Sequence, residues 1–155
     1  MLLGEFPRTL DERFRLSLPP ELLEALGDAE DELLLAKEGP GALSLWQAER
    51  WRAKHEQGVD LVTRKIAAGR LDSRMPEVQS FGRMLSTRQR PIQLSGRGRL
   101  VIPEGFREFL GVEPGGAVMV VGAAVCLEIW RPERWIAWVN EQIGQFPQLF
   151  QDLSA

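Results

Sequence analysis

Four arginines stand in two matching phrases, Arg13 and Arg15 in "LDERFRLSLP" and Arg97 and Arg99 in "LSGRGRLVIP". Residues two apart in extended chain point to the same side, so each phrase presents two guanidiniums together. Arginine forks match phosphate oxygens, and also the O6/N7 edge of guanine in a major groove wide enough for a β-ribbon. Gly96 and Gly98 make a loop whose backbone can approach a ligand closely. One Arg-x-Arg beside a strand ordinarily means surface ion pairs. Its recurrence at a fixed offset, against a changing background, favours a binding role.

No other constellation of chemistry-bearing residues competes with it. His55 is the only histidine, in a polar stretch, and reads as a solvated surface residue. No nucleophile and orienting acid mark a triad around it. One histidine and one cysteine exclude a Cys/His metal site. The glycines of "SGRGR" lack the lysine and Ser/Thr of a nucleotide-hydrolysing loop. The acidic residues Glu21, Glu24, Asp28, Glu30, Asp31, Glu32 and Glu38 lack calcium-loop spacing and read as a solvated helix and turn. Catalysis, metal and cofactor are therefore not expected, and no small-molecule substrate is evident. Cys126, within "VVGAAVCLEIW", reads as a buried, inert thiol.

The charge is distributed unevenly. The chain of 155 residues carries a net charge of −3, with a pI near 5.3. Yet Arg83, Arg88, Arg90, Arg97 and Arg99 fall between positions 83 and 103 with no acid among them. A one-sided basic patch on an acidic body follows. No signal peptide and no apolar run of about 20 residues is present, so a cytoplasmic protein without a membrane partner is expected.

The elements that position these arginines occur twice. Shifted by 84 residues, the chain overlays on itself without a gap. Pro7 meets Pro91, Leu10 meets Leu94, Arg13 meets Arg97 and Arg15 meets Arg99. The register persists to Trp46 on Trp130 and Trp51 on Trp135, with fourteen identities in the 45 positions from Pro7 to Trp51. Composition alone would give about 3. Each copy reads as β-β-α-β-β. A strand leads to the Arg-x-Arg phrase, and a second strand covers Leu16–Leu18 or Leu100–Ile102. Proline then opens a helix, "PPELLEALG" or "PEGFREFLG", which glycine ends. Strands at Leu33–Ala36 and Ala117–Val121 follow, each with a last strand ending at Trp46 or Trp130. Forty-five residues bury too little surface to fold alone, so the halves are expected to intertwine as one barrel.

Helical pattern fills 47–86 between the copies and returns in "RPERWIAWVNEQIGQF"; the tail "PQLFQDLSA" shows no clear pattern. Trp130, Trp135 and Trp138 read as core packing. The resulting division is a first repeat at 1–51, a helical insert at 52–87, a second repeat at 88–135, and a C-terminal helix and tail at 136–155.

With these residues in place, the sequence resembles the MraZ family, within the AbrB/SpoVT-type DNA-binding superfamily. The resemblance rests on the doubled phrase Asp-x-x-Gly-Arg-(Leu/Ile)-x-(Ile/Leu/Val)-Pro, two copies in a chain of about this length, and the helical insert. It covers roughly Met1 to Trp138. It implies an α+β fold, a double-split β-barrel of two swapped-hairpin units, and homo-oligomerisation into a ring. It further implies a nucleoid-associated transcriptional regulator, usually a repressor, binding short direct repeats in double-stranded DNA upstream of a division and cell-wall gene cluster.

The family's arginine falls on Arg15 and Arg99. Two positions depart from its pattern. Phe14 stands where the family has glycine and is expected to oppose a φ > 0 turn and reshape the first loop. Ser95 replaces the family's aspartate and removes a carboxylate able to orient the neighbouring arginine. Arg97 and Arg99 are thus expected to contact DNA most directly. Arg13 and Arg15 extend that face, and Arg88 and Arg90 add phosphate contacts that carry no sequence information. The alternatives are an AbrB-like antitoxin whose C-terminal segment masks a toxin, and a structural ring with weakened DNA binding.

Overall fold

The computed structural model describes residues 1–27 and 31–155; Asp28 and Glu30 of the acidic run lie outside the described residues. In chain order the elements are β1 (Leu2–Thr9), β2 (Arg15–Ser17), α1 (Pro20–Leu26), β3 (Leu33–Gly39) and β4 (Ala42–Gln47). Two helices follow, α2 (Ala48–Ala67) and α3 (Met75–Thr87), joined through a 3-10 turn at Asp72–Arg74. Then come β5 (Gln89–Ile92), β6 (Arg99–Val101), α4 (Phe106–Leu110), β7 (Ala117–Ala124) and β8 (Leu127–Trp130). The chain ends in α5 (Pro132–Gln142), a 3-10 turn at Ile143–Gln145 and α6 (Phe146–Ser154).

Six strands form one antiparallel sheet in the order β1-β7-β8-β4-β3-β5, and β2 pairs with β6 in a separate two-stranded ribbon. The first strand of each half therefore pairs in the other half. Leu2–Thr9 lies against Ala117–Ala124, and Gln89–Ile92 lies against Leu33–Ala36. Exchanging β1 with β5, β3 with β7 and β4 with β8 returns the same order read backwards. The central ladder is β4–β8, from Ala42↔Trp130 to Leu45↔Leu127.

Of the intertwined barrel expected, the structure shows an open antiparallel sheet and a separate ribbon, with no closed barrel. Among the described residues no ladder joins the edge strands β1 and β5, and the ribbon shares no strand with the sheet. Packing joins the two layers instead. Leu16 and Leu100, at the centre of the ribbon, have no exposed surface and lie in one core with Leu35, Leu43, Leu45, Val120, Leu127 and Ile129 of the sheet. Leu22 and Leu26 of α1, with Phe106 and Leu110 of α4, close the sides of that core. Burying such side chains contributes roughly 1.5–3 kcal/mol each. The ribbon can therefore be held firmly without a shared ladder.

Three other expectations are corrected. The patternless tail is helical. Phe146, Leu149, Phe150 and Leu153 share one face at helical spacing, and Pro147 sits in the first turn, where its missing N–H costs nothing. The tryptophans of the C-terminal arm stack on each other rather than fill the core. Trp135 and Trp138 lie 5.5 Å apart and nearly parallel, and Trp138 is 45% exposed. His55 is not simply solvated. It packs at 4.0 Å on Trp51, its Nε2 is buried without a hydrogen-bond partner among the described residues, and burial with nearby Lys54 and Arg88 lowers its pKa. Cys126 is buried, and desolvation pushes its thiol up to about 12.

Candidate nucleic-acid interface

The ribbon sets the directions of the arginines. Its register is Arg15↔Val101, Leu16↔Leu100 and Ser17↔Arg99. Side chains alternate across a strand, so the buried Leu16 and Leu100 force Arg15, Ser17, Arg99 and Val101 onto the opposite, outer face. Arg15 and Arg99 then sit diagonally about the Leu16–Leu100 pair, a spacing of roughly 7–8 Å between backbones. Hydrogen bonds extend the pairing into both loops. Leu18 N donates to Gly98 O at 3.1 Å, and Ile102 N donates to Phe14 O at 2.9 Å. The loops carrying Arg13 and Arg97 are thereby fixed at the two ends of one short ribbon.

The two ends differ in chemistry. At the first, the Asp11 carboxylate accepts the backbone N–H groups of Arg13 and Arg15 through Oδ1, at 2.8 and 2.9 Å. Its Oδ2 takes the Arg15 Nε at 2.6 Å. These bonds, that from the Arg15 backbone foremost, hold the Asp11 pKa below its usual value despite some opposing desolvation. At the second end Ser95 and Arg99 exchange backbone bonds, Ser95 N to Arg99 O at 2.9 Å and Arg99 N to Ser95 O at 3.1 Å. Serine has no charge to offer. Among the described residues, no carboxylate pairs with Arg13, Arg97 or Arg99, whereas Arg15 is paired.

Phe14 does not forbid the left-handed turn expected of glycine. Its φ is 56°, beside 77° at Gly98 in the equivalent place. Left-handed backbone costs an L-residue roughly 1–2 kcal/mol, so its surroundings must enforce it. They do so on three sides. Phe14 N donates to Asp11 O, Phe14 O accepts from Ile102 N, and the Arg107 guanidinium lies 4.2 Å from the ring centroid. Arg107 also donates from Nε to Ile102 O at 2.5 Å. At the other end Leu23 occupies the space a Cβ on Gly98 would need. The pairs Phe14–Arg107 and Gly98–Leu23 thus replace one another.

Arg107 is a cation beside the ribbon that the Arg-x-Arg pattern does not reach. The 84-residue shift carries its signal, because it aligns Arg107 with Leu23 and Phe14 with Gly98, two differences at one contact. Arg88 and Arg90 stand elsewhere, beside and on the edge strand β5. Arg88 is already engaged: Nε donates to Lys37 O at 3.1 Å, Nη2 lies 3.4 Å from the Glu38 carboxylate, and the guanidinium covers Trp51. Arg90 is exposed, with its guanidinium 5.8 Å from the centre of the Phe106 ring. The described residues hold no cluster of His, Cys, Asp and Glu able to bind a metal, and no helix long and apolar enough to cross a membrane.

Comparison with known proteins finds relatives along nearly the whole chain. A family model described as "MraZ protein, putative antitoxin-like" matches residues 89–149. A transcriptional regulator MraZ from Deinococcus radiodurans is 30% identical over 148 residues, covering 96% of this chain and 94% of that protein. One from Thermus thermophilus is 29% identical, covering 95% and 93%. One from Leuconostoc mesenteroides is 27% identical, covering 99% and 96%. With the match running nearly end to end in both chains, this protein belongs to the MraZ family.

Proposed function

We propose that the protein is a sequence-specific DNA-binding transcriptional regulator that lays the β2–β6 ribbon in the major groove. The observation that carries this reading is the outward, diagonal placement of Arg15 and Arg99 about a buried Leu16–Leu100 pair. Two guanidiniums projecting from one face of a two-stranded ribbon suit recognition of guanine O6 and N7. The relatives' shared name, transcriptional regulator, supports the same role.

In this reading Arg99 is the freer reader, having no carboxylate to leave among the described residues, while Arg15 reads from a position fixed by Asp11. Arg97 and Arg13 reach the adjoining backbone from the loops. Arg90 adds a phosphate contact, and Arg88 joins it by exchanging Glu38 for phosphate. No catalytic step is involved. The two halves act as swapped repeats, at 1–51 and 88–135, with the helical segments 52–87 and 136–155 as assembly arms. A homo-oligomeric ring then presents several ribbons to short direct repeats near the protein's own promoter, so that avidity supplies affinity and binding represses transcription. The nucleoid is the location this implies.

Fluorescence anisotropy with a labelled duplex tests the assignment. Arg99→Ala and Arg15→Ala should each weaken specific binding by about 1–3 kcal/mol for the guanine edge no longer read. Arg90→Ala should weaken binding to all sequences alike. Unchanged affinity in both ribbon variants would remove the ribbon from the reading.

A further inference from the structure

The loop carrying Arg97 borders an open cleft of about 330 Å³. Sites for small organic ligands begin near that size, at roughly 300 Å³. Leu23, Leu26 and Leu33 line it from α1 and β3, and Leu94, Arg97 and Gly98 line it from the loop. Leu26 and Leu33 belong to the main core, whereas Leu23 and Leu94 are only partly buried against it. Arg97 is exposed and has no carboxylate partner among the described residues. Leucine walls with one uncommitted guanidinium suit an apolar body that carries an anion.

The repeat shows what fills the equivalent place at the other end of the ribbon. The 84-residue shift sets Leu23 on Arg107, Leu94 on Leu10, Arg97 on Arg13 and Gly98 on Phe14. There the Phe14 ring lies against the Arg107 guanidinium, 4.2 Å from its centroid, and Leu10 is only 1% exposed. At the cleft, Gly98 brings no ring and Leu23 no guanidinium. A Leu23 methyl takes the space beside Gly98, and Leu94 stays half-buried. An aromatic ring between leucines and a guanidinium is therefore what this fold packs here when the place is closed. Gly27, also on the lining, stands beside the Asp31 carboxylate, which accepts from Gln47 Nε2 at 3.1 Å. A ligand's anion is repelled from Asp31 and drawn to Arg97.

We propose that this cleft binds a small aromatic carboxylate, its ring among the four leucines and its carboxylate on Arg97. The site stands on the cleft and its guanidinium, independently of any DNA contact. In the DNA-binding reading above, the same guanidinium reaches the DNA backbone, so an occupied cleft withdraws it. That consequence, unlike the site itself, rests on the DNA-binding reading.

Titration of 4-fluorophenylacetate into the full chain, followed by fluorine NMR, tests the site. Wild type should half-saturate within about 5 mM, the scale for a ligand of about 11 non-hydrogen atoms. The neutral isostere 4-fluorophenylacetamide should bind about two- to fivefold more weakly, the scale of an exposed ion pair. Leu23→Trp fills the cleft and should abolish saturation while melting as wild type does. Arg97→Gln, on an exposed loop where folding is not at stake, should bring the two probes to equal affinity. Absence of saturation in wild type would overturn the proposal, as would equal affinity for both probes there or unchanged binding in Arg97→Gln. Displacement of the probe by equimolar acetate would reduce the site to an adventitious anion contact and overturn it as well. With binding established, the labelled-duplex assay separates the consequence from the site. Saturating probe, set against equal acetate, should weaken DNA binding by wild type and leave Arg97→Gln unmoved. Unmoved wild type would overturn the link to DNA alone.

Discussion

Position 14 shows how far a residue can be read from its type alone. Phenylalanine argues against a left-handed turn, yet the backbone there is left-handed, because Asp11, Ile102 and Arg107 fix it together. Type was legible; the compensating partner, 93 positions away in sequence, was not. Replacing Phe14 by alanine keeps the strained φ while removing the ring, and should destabilise the protein by about 0.5–2 kcal/mol, the scale of the lost cation–π contact. Phe14→Gly removes the ring but also relieves the strain, and should stay within about 1 kcal/mol of wild type. Urea unfolding gives that order, and an equal loss in both variants would contradict it. Asp11 carries its own pH signature. Its folded pKa is depressed, so its tie to Arg15 adds stability above the ordinary aspartate value of about 3.9 and is lost as the pH falls through the lower folded value. Asp11→Asn should remove that part of the acid-side slope in Tm against pH. Cys126, pushed up to about 12, should resist alkylation in the native protein at neutral pH and react only on unfolding.

Elements were more legible than residues, and for a physical reason. Helix and strand declare themselves through local periodicity and through prolines and glycines, so both β-β-α-β-β runs and the helical insert could be read in one dimension. Pairing is not local. Nothing in β1 announces that it lies on β7 rather than on its own half, and size alone gave an intertwined barrel without showing that the sheet stays open and the ribbon docks by packing. The tail was missed because its four apolar residues fall in only nine, too few for a periodic signal to stand out. The β1–β7 contact is close at one point, Gly122, where a Cβ would meet the backbone of Leu2 and Leu3. Gly122→Ala should therefore push β1 away and cost about 1–3 kcal/mol, the usual penalty of overpacking, measured by the urea midpoint. On the neighbouring strand, burial raises the Glu128 pKa, with Glu38 adding to the rise and the Trp130 N–H opposing it. A raised acid favours the native state only below its folded pKa. Glu128→Gln should thus raise Tm at pH 7, with the gain shrinking as the pH falls.

At the scale of the molecule, an acidic chain carries a local cationic ribbon and two helical segments of opposite net charge. The net charge of −3 would oppose DNA as a whole, and what binds is set by where the guanidiniums stand. The most direct test of the central claim is binding to the DNA upstream of the protein's own gene, set against a scrambled duplex of equal length, at two salt concentrations. The predicted result is preference for the upstream DNA, weakening as salt rises because phosphate contacts release counterions, and abolished in a chain carrying Arg15→Ala and Arg99→Ala together. Equal binding of both duplexes by the intact assembly, or a preference that survives in the doubly substituted chain, would contradict it.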